Sequence, residues 1–171
     1  SIPSQLVGLN LAAALAITDL IKDRIQQQVH IKWPNDVYVA HQKIAGVLLE
    51  NTIQANRKVK VVAGIGVNVN QVEFREQNAT SLKLLTQQTY DVNTLCLELA
   101  DLFYRRSKQS QRQLLNDVNQ MLYKKGEAVT FSSALGNTTY TIDQILYSGK
   151  LRVRHKEAYK ELDHNDVKWM K

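Results

Sequence analysis

A single lysine stands at the end of a short β-branched run, directly before a turn-forming tripeptide. The segment is Ile31-Lys32-Trp33-Pro34-Asn35-Asp36, in which the proline restricts the backbone and Asn35 and Asp36 offer side-chain hydrogen bonds. A lysine held on such a rigid element is a fixed positive charge. It can stabilise a phosphate, or the charge that builds when a carboxylate attacks phosphorus. Lys32 is therefore a candidate catalytic residue, and the alternative is a surface lysine beside a structural turn.

Two further segments combine a lysine or an asparagine with glycines. The first is Lys43-Ile44-Ala45-Gly46-Val47-Leu48-Leu49-Glu50, and the second is Gly64-Ile65-Gly66-Val67-Asn68. Gly46 lacks a side chain where bulk would block a ligand, although a glycine can also mark a strand bulge. Glycines in the second segment let the backbone approach a ligand or turn tightly, but the segment lacks the Gly-Lys-Ser or Gly-Lys-Thr ending of a P-loop.

The periodicity of apolar residues predicts the elements that hold these segments. Helical spacing predicts one long helix from Gln5 to Gln28, and β-branched runs between turn residues predict a strand meander from Val29 to Ala63. Helical spacing returns from Asn93 to Tyr123, as two helices or one broken helix. Short strands then suggest a small barrel. We predict an α+β fold, with a mixed sheet packed by helices in residues 1–123 and a small β-barrel in residues 124–171.

The composition bounds the classes of function. Lysine and arginine number 22 against 16 acidic residues, and the net charge of +6 is consistent with anionic partners such as nucleotides or nucleic acid. Polar residues interrupt the longest apolar stretch, so we expect no membrane span. The only cysteine, Cys96, lies in a helical apolar pattern, which predicts a small buried hydrophobe and a reducing compartment, the cytoplasm. The four histidines lack metal-ligand spacing, and we predict no metal site.

In identity, order and spacing, the strings Lys32-Trp33-Pro34-Asn35-Asp36, Lys43 to Glu50 and Gly64 to Asn68 resemble the central motifs of the biotin protein ligases. The resemblance implies part of a catalytic domain of the class II synthetase type, shared by lipoate and biotin ligases, followed by an SH3-like C-terminal domain. It also implies an enzyme with a two-step reaction. Biotin's carboxylate attacks the α-phosphate of Mg-ATP to give biotinyl-5'-adenylate and pyrophosphate, and a carrier lysine then takes the biotinyl group.

The resemblance also implies roles for single residues. Lys32 is similar to the family's catalytic lysine, which contacts the biotin carboxylate and the adenylate phosphate. Lys43 is similar to a lysine near the nucleotide phosphates, with a solvated strand-end lysine as the alternative. Asn35 and Asp36 would shape the turn, and Asp36 could also position a metal ion or the lysine. The other implied substrate-binding residues are Gly46, Gly64 and Val67 on the biotin side, and Asn68 on the adenine side.

Substrates and partners follow from the same resemblance. They are biotin, ATP with Mg²⁺, and the biotin carboxyl carrier protein domain of a carboxylase. A homodimer is compatible with the sequence, and no membrane partner is expected. The family's arginine- and glycine-rich adenylate loop and its strands that grip the ureido ring lie upstream of the position of Ser1. We therefore predict that residues 1–171 alone are nearly inactive in adenylate formation.

Two other functions remain open on the sequence. A basic nucleic-acid-binding module would need aromatic residues among the lysines and arginines, and Tyr140, Tyr147 and Tyr159 are the candidates. That function explains the charge but not the order of the motifs, so nucleic acid is not indicated. A lipoate protein ligase shares the catalytic architecture, but its motifs differ from Lys-Trp-Pro-Asn-Asp.

Overall fold

The protein is described by a computed structural model that covers residues 4–53 and 59–170. Its elements in chain order are α1 (Ser4–Lys22), β1 (Val29–Lys32), β2 (Asp36–Val39), β3 (Gln42–Ile53), β4 (Val59–Val67), α2 (Leu82–Thr86), α3 (Val92–Ser107), α4 (Gln111–Gln120), β5 (Ala128–Ser133), β6 (Gly136–Ile145), β7 (Leu151–His155), β8 (Ala158–Leu162) and β9 (Val167–Trp169). The predicted combination of helices and sheets is confirmed. None of the helices in these ranges is long and apolar enough to cross a membrane.

The first sheet holds the three predicted motifs and packs one face on α1. Its strands follow the order β1-β2-β3-β4, each antiparallel to its neighbour. Ile31, Val37, Ala45 and Val67 are successive cross-strand partners, and the first three are buried. Because side chains alternate along a strand, the residues next to this row point to the opposite face. The sheet therefore has an apolar face toward α1 and a second face that carries polar residues.

Two boundaries of this half differ from the predictions. Helix α1 ends at Lys22 rather than Gln28. Strand β4 continues to Val67, so Gly64 and Gly66 are paired strand residues rather than parts of a turn. Both glycines sit opposite residues of β3, which supplies the hydrogen-bond partners that hold them extended. Pairing with the long strand β3 therefore keeps both glycines extended, although glycine is common in turns.

The second sheet has five strands in the order β8-β7-β6-β5-β9, again with antiparallel neighbours. Within the described ranges the outer strands β8 and β9 do not pair with each other, so the sheet is curled but open. The predicted small β-structure is present, although it is not a closed barrel.

The helical pattern before the second sheet separates into α3 and α4. Asp91 caps α3 by accepting a hydrogen bond from the Thr94 amide, and Ser110 caps α4 with a reciprocal bond to Gln113. The short helix α2 lies outside the predicted elements. The prediction of a buried Cys96 is wrong, because the thiol is exposed on α3. Its neighbour Leu95 takes the buried position, and adjacent helical residues point about 100° apart.

Arg106 of α3 joins three helices. Its guanidinium donates to Asp19 of α1 at 2.7 and 2.8 Å, and to Asp117 of α4 at 2.6 Å. These bonds raise the pKa of Arg106 above its ordinary value, the bond to Asp19 most strongly. The arrangement keeps the helical layer together on one side of the first sheet.

One apolar cluster crosses the predicted boundary near Tyr123. It combines buried residues of α1 and α4 with Trp33 and with the inner face of the second sheet, represented by Phe131 and Leu151. Leu122 belongs to the same cluster. The division at residues 123 and 124 stays a prediction, since the residues on its two sides share this core.

Candidate functional site

The three sequence motifs meet in one cross-strand row on the polar face of the first sheet. Lys32 of β1 pairs with Asp36 of β2, Asp36 pairs with Gly46 of β3, and Gly46 pairs with Gly66 of β4. Directly opposed strand residues project on the same side. The sheet thus brings a cation, a carboxylate and two side-chain-free positions next to one another, although they are up to 34 residues apart in the chain.

Lys43 joins this row because β3 contains a bulge. Val37 pairs with Ala45, whereas the next residue of β2, Tyr38, pairs with Lys43, so Ile44 is the extra residue. Without the bulge, Lys43 would lie on the same face as Ala45, against the core. With it, the ammonium of Lys43 reaches Asp36 Oδ1 at 2.6 Å.

The strand pairing also shows that Gly46 does not mark the bulge. The bulge lies at Ile44, and Gly46 itself pairs regularly with residues on both sides. A Cβ atom at Gly46 would come within 3.0 Å of Asp36 Oδ1 and 3.4 Å of Lys43 Nζ. The absence of a side chain at Gly46 therefore leaves room for the ion pair between Asp36 and Lys43.

An open trough of about 480 Å³ lies over these residues. Its lining includes Asp36, Lys43 and the backbone of Gly46, Gly64 and Gly66. One end is polar because of the ion pair. Toward the other end, Leu48 pairs with Gly64 and is 59% exposed, and Val62 follows on the same face of β4 with 51% exposed. The trough thus grades from charged to apolar along the strands, which suits a ligand with an anionic end and an apolar body.

Asn35 and Pro34 shape the turn that leads into this row. The Asn35 amide donates to the Val47 carbonyl at 2.6 Å, and the Val47 amide donates back to the Asn35 carbonyl at 2.9 Å. Asn10 of α1 donates to the Pro34 carbonyl at 3.0 Å. The peptide bond between Trp33 and Pro34 is cis. These contacts support the turn-shaping prediction for Asn35.

Two of the predicted substrate-binding residues lie away from the trough. Val67 is on the opposite face of β4 from Gly64 and packs against the core cluster that includes Ile44. The Asn68 amide donates to the Thr80 carbonyl at 3.0 Å, which ties the loop before α2 to the sheet. Neither side chain lines the trough, and their roles toward biotin and adenine stay predictions.

The Lys32 ammonium turns away from the trough toward aromatic rings. Its Nζ lies 4.8 Å from the centre of the Tyr38 ring, 4.8 Å from that of Trp169 and 5.9 Å from that of Tyr123. It also donates to the Tyr38 hydroxyl at 3.3 Å. Burial lowers the pKa of Lys32, and Asp36 opposes this by raising it. Burial also raises the pKa of Tyr38 to about 12.

Trp33 packs in the core rather than facing the trough. It is 2% exposed, and its indole N–H donates to the Gly149 carbonyl of the turn before β7 at 2.9 Å. The Trp33 carbonyl in turn accepts from the indole N–H of Trp169 at 2.8 Å. Lys32 is thus followed by a residue that the second sheet holds at both its side chain and its backbone.

A pair of histidines lies beside the aromatic group. His41 Nδ1 is 3.0 Å from the Tyr123 hydroxyl, and the His30 ring packs edge-on against the Tyr123 ring. Burial lowers the pKa of His30, and the nearby His41 lowers it further, whereas Glu127 raises it. We therefore expect His30 to be neutral at pH 7.

Tyr38, Tyr123 and Trp169 were not among the predicted site residues. The alternation along β2 places Tyr38 on the face of Asp36, and that signal was available in the sequence. No local pattern connects Tyr123 or Trp169 to Lys32. Of the tyrosines considered for nucleic acid, Tyr140 packs against Phe131, which leaves Tyr147 and Tyr159 exposed.

The chain is similar in sequence to known ligases. Residues 2–70 match the Biotin/lipoate A/B protein ligase family. The biotin--[acetyl-CoA-carboxylase] ligase of Mycobacterium tuberculosis is 37% identical over 103 residues, which cover 57% of this chain and 37% of that protein. The bifunctional ligase/repressor BirA of Escherichia coli is 31% identical over 91 residues, covering 53% of this chain and 28% of BirA. The chain thus spans only about a third of these curated relatives.

Solved structures show the same fold over almost the whole chain. The apo biotin protein ligase from Aquifex aeolicus superposes with a TM-score of 0.80 at 25% identity, covering 97% of this chain and 76% of that one. The same ligase in complex with biotin and ATP gives a TM-score of 0.79 at 25% identity, and the match covers 96% of this chain and 72% of that one. The agreement extends over both sheets and the helices between them.

Proposed function

We propose that the chain takes part in the ATP-dependent activation of biotin to biotinyl-5'-adenylate and in transfer of the biotinyl group to a lysine of a biotin carboxyl carrier protein. Sequence similarity to biotin/lipoate ligases and a fold that superposes on a biotin protein ligase support the proposal. The observation that carries the proposal is the row Lys32, Asp36, Gly46 and Gly66, in which three separate motifs become one site.

In this proposal Lys32 is the catalytic cation. Its ammonium would lie beside the carboxylate oxygen that attacks and the phosphate oxygens that gain charge. Negative charge is concentrated there in the transition state, so a fixed cation stabilises that state more than the separate substrates. A partly buried ammonium interacts more strongly with such charge than one in bulk water. Burial of Lys32, which lowers its pKa, supports this role.

Lys43 and Asp36 would serve the nucleotide. The Lys43 ammonium reaches over the trough, where it can meet a phosphate oxygen, and the ion pair with Asp36 keeps it there in the absence of ligand. Asp36 is the only carboxylate among the described residues that line the trough. Mg²⁺ commonly binds through one or two carboxylates and the substrate's phosphates, so Asp36 is the residue we expect to approach the metal of Mg-ATP.

Biotin would lie with its carboxylate at the charged row and its apolar body toward Leu48 and Gly64. The missing side chain at Gly64 lets a ring approach the strand backbone, and the exposed Leu48 and Val62 offer apolar contact. This direction matches the gradient of the trough from polar to apolar. Lipoate also joins a carboxylate to an apolar chain, so the choice of acid requires a direct test.

The first test is pyrophosphate release with biotin and Mg-ATP in a protein that joins residues 1–171 to the family's upstream adenylate loop, comparing Lys32→Ala with Lys160→Ala. Lys160 is exposed on β8, the outer strand of the second sheet, and is a matched control for loss of a positive charge. We expect the rate to fall by about 100-fold or more for Lys32→Ala, as for removal of a preorganised charge-stabilising group. The control should retain the parent rate. Equal rates in both variants would remove Lys32 from the reaction.

The same assay addresses the remaining proposals. Replacing biotin by lipoate should lower pyrophosphate release strongly, and equal rates would favour a lipoate ligase. Transfer is checked by mass spectrometry of an added carrier domain, which should gain one biotinyl group on lysine. The prediction that residues 1–171 alone form adenylate slowly is checked by running the 171-residue chain beside a full-length relative.

A further inference from the structure

Three aromatic rings surround the Lys32 ammonium, and each comes from a different part of the chain. Tyr38 belongs to β2, Tyr123 follows α4, and Trp169 ends β9 of the second sheet. The rings also contact one another, with centres 5.1 Å apart for Tyr38 and Tyr123 and 6.1 Å for Tyr123 and Trp169. We call Tyr38, Tyr123 and Trp169 the aromatic cage.

We propose that the aromatic cage is a positioning device for Lys32, and that Trp169 is the residue through which the second sheet acts on the reaction. This inference rests on the proposed function, because it assumes that Lys32 is the reacting cation. Tyr38, Tyr123 and Trp169 are positioning residues in this account, since they act through Lys32.

The position of the indole supports a specific role for Trp169. Its N–H donates to the Trp33 carbonyl at 2.8 Å, directly after Lys32 in the chain. On the other side, Phe131 pairs with Trp169 in the sheet, and their rings lie 4.8 Å apart. The ring is therefore held at its polar edge and along its apolar face, while its remaining surface meets the ammonium.

The chemistry of the cage suits a lysine that must stay charged but poorly hydrated. Aromatic faces attract a cation through their quadrupole, and the attraction is stronger where water is excluded. Charged neighbours change the pKa of Lys32 in both directions. Asp36 raises this pKa, whereas Lys43 and Lys124 lower it. The rings hold the ammonium and leave its positive charge uncompensated. A carboxylate at the same distance would neutralise that charge.

The long side chain of lysine explains why such a device is needed. A lysine has four rotatable bonds and loses much conformational entropy when it is held in one place. An ammonium already restricted by three rings loses less on binding substrate, and misplacement of a reacting group by about 1 Å can cost about 100-fold in rate. Rotation of the Lys32 side chain from the cage toward its cross-strand partner Asp36 would bring the ammonium to the charged row of the trough.

The test compares Trp169→Leu and Trp169→Phe with the parent sequence, each in a protein that also contains the family's upstream adenylate loop. Phenylalanine keeps an aromatic face but lacks the N–H, and leucine removes both. The matched control is Tyr159→Leu, because Tyr159 stacks on the Arg152 guanidinium at 4.9 Å in the same sheet, in a cation and ring pair of the same kind. Thermal melting of each variant establishes that it is folded.

Two readouts are combined. The first is the NMR spectrum of ¹³C- and ¹⁵N-labelled lysine, in which ring currents shift the Lys32 ε-methylene protons upfield. The second is single-turnover adenylate formation, with the rate at saturation separated from the half-saturating biotin concentration. Loss of the upfield shift reports that the indole lies over the Lys32 side chain, and slower adenylation at saturating biotin in a folded variant reports its effect on the reaction.

We expect Trp169→Leu to lose most of the upfield shift, to raise the pKa of Lys32 toward its ordinary value and to slow adenylate formation by about 10- to 100-fold at saturating biotin. Trp169→Phe should keep part of the upfield shift and part of the adenylation rate. Tyr159→Leu should leave the shift and the rate unchanged. An unchanged Lys32 resonance in Trp169→Leu would overturn the cage. A lost shift with unchanged or faster adenylation would overturn the positioning role. A parent protein that contains the upstream adenylate loop and shows the shift, but forms no adenylate, would refute the proposed function instead.

Discussion

The substitution Trp33→Phe tests whether the second sheet holds the segment that contains Lys32. Trp33 is 2% exposed and belongs to the apolar cluster that joins α1, α4 and the second sheet. Its indole N–H donates to the Gly149 carbonyl at 2.9 Å. Phenylalanine keeps an aromatic ring in the core but removes this bond and the second ring of the indole.

The expected loss of stability follows from these two changes. A hydrogen bond in a largely buried setting contributes about 1 kcal/mol net, and more when its acceptor is left without a partner. The missing ring atoms leave a void in the cluster, which adds about 2 kcal/mol by the usual cost of a large-to-small core substitution. Together we expect the free energy of unfolding to fall by about 3 kcal/mol.

The measurement is urea unfolding of the 171-residue chain followed by far-UV circular dichroism, because the substitution removes one of the two tryptophans and alters fluorescence. Tyr104→Phe is the control, since Tyr104 is exposed on α3. It should change the free energy of unfolding by less than about 0.5 kcal/mol. A loss below about 1 kcal/mol for Trp33→Phe would mean that Trp33 does not link the two sheets.

Four other substitutions test single features. Gly66→Ala, with nothing within 4 Å of the new Cβ, should raise the free energy of unfolding by about 0.5 kcal/mol. Gly46→Ala should give no gain, because its Cβ would displace the Asp36 carboxylate, and thermal melting compares the two. Arg106→Met should lower the free energy of unfolding by about 1 to 2 kcal/mol, because Asp19 and Asp117 lose their shared partner, and urea unfolding measures this change. Burial lowers the pKa of His30 below 6.5, so the unfolded chain takes up the proton first. Stability should therefore fall as the pH drops below 6.5, and His30→Gln should flatten that part of a stability profile measured by urea unfolding.

The catalytic proposal depends on neighbours that are far apart in the chain but adjacent in the sheet. Lys32, Asp36, Gly46 and Gly66 become one row because three successive antiparallel pairings bring them into register. The motif order along the chain predicted that Lys32, Asp36 and Gly46 act together, and Gly66 was added by the strand pairing. The pairings supply the physical reason, since directly opposed residues project on the same side of a sheet.

The sequence by itself predicted most of the elements and named the candidate residues of the site. Local periodicity distinguishes helix α1 from the strands, and the proline and asparagine after Trp33 dictate a turn. The three motifs identified Lys32, Asp36 and Gly46 before any contact was known. These properties depend on residues close together in the chain, which is why a sequence can express them.

Only the tertiary structure decided the remaining features. The bulge at Ile44 turns Lys43 toward Asp36, and one residue of register determines which face a strand side chain occupies. Cys96 is exposed because its neighbour takes the buried position on α3. Trp169 meets Lys32 across 137 positions of sequence through the packing of two sheets. Such contacts arise from how whole surfaces fit together, and no short stretch of sequence encodes that fit.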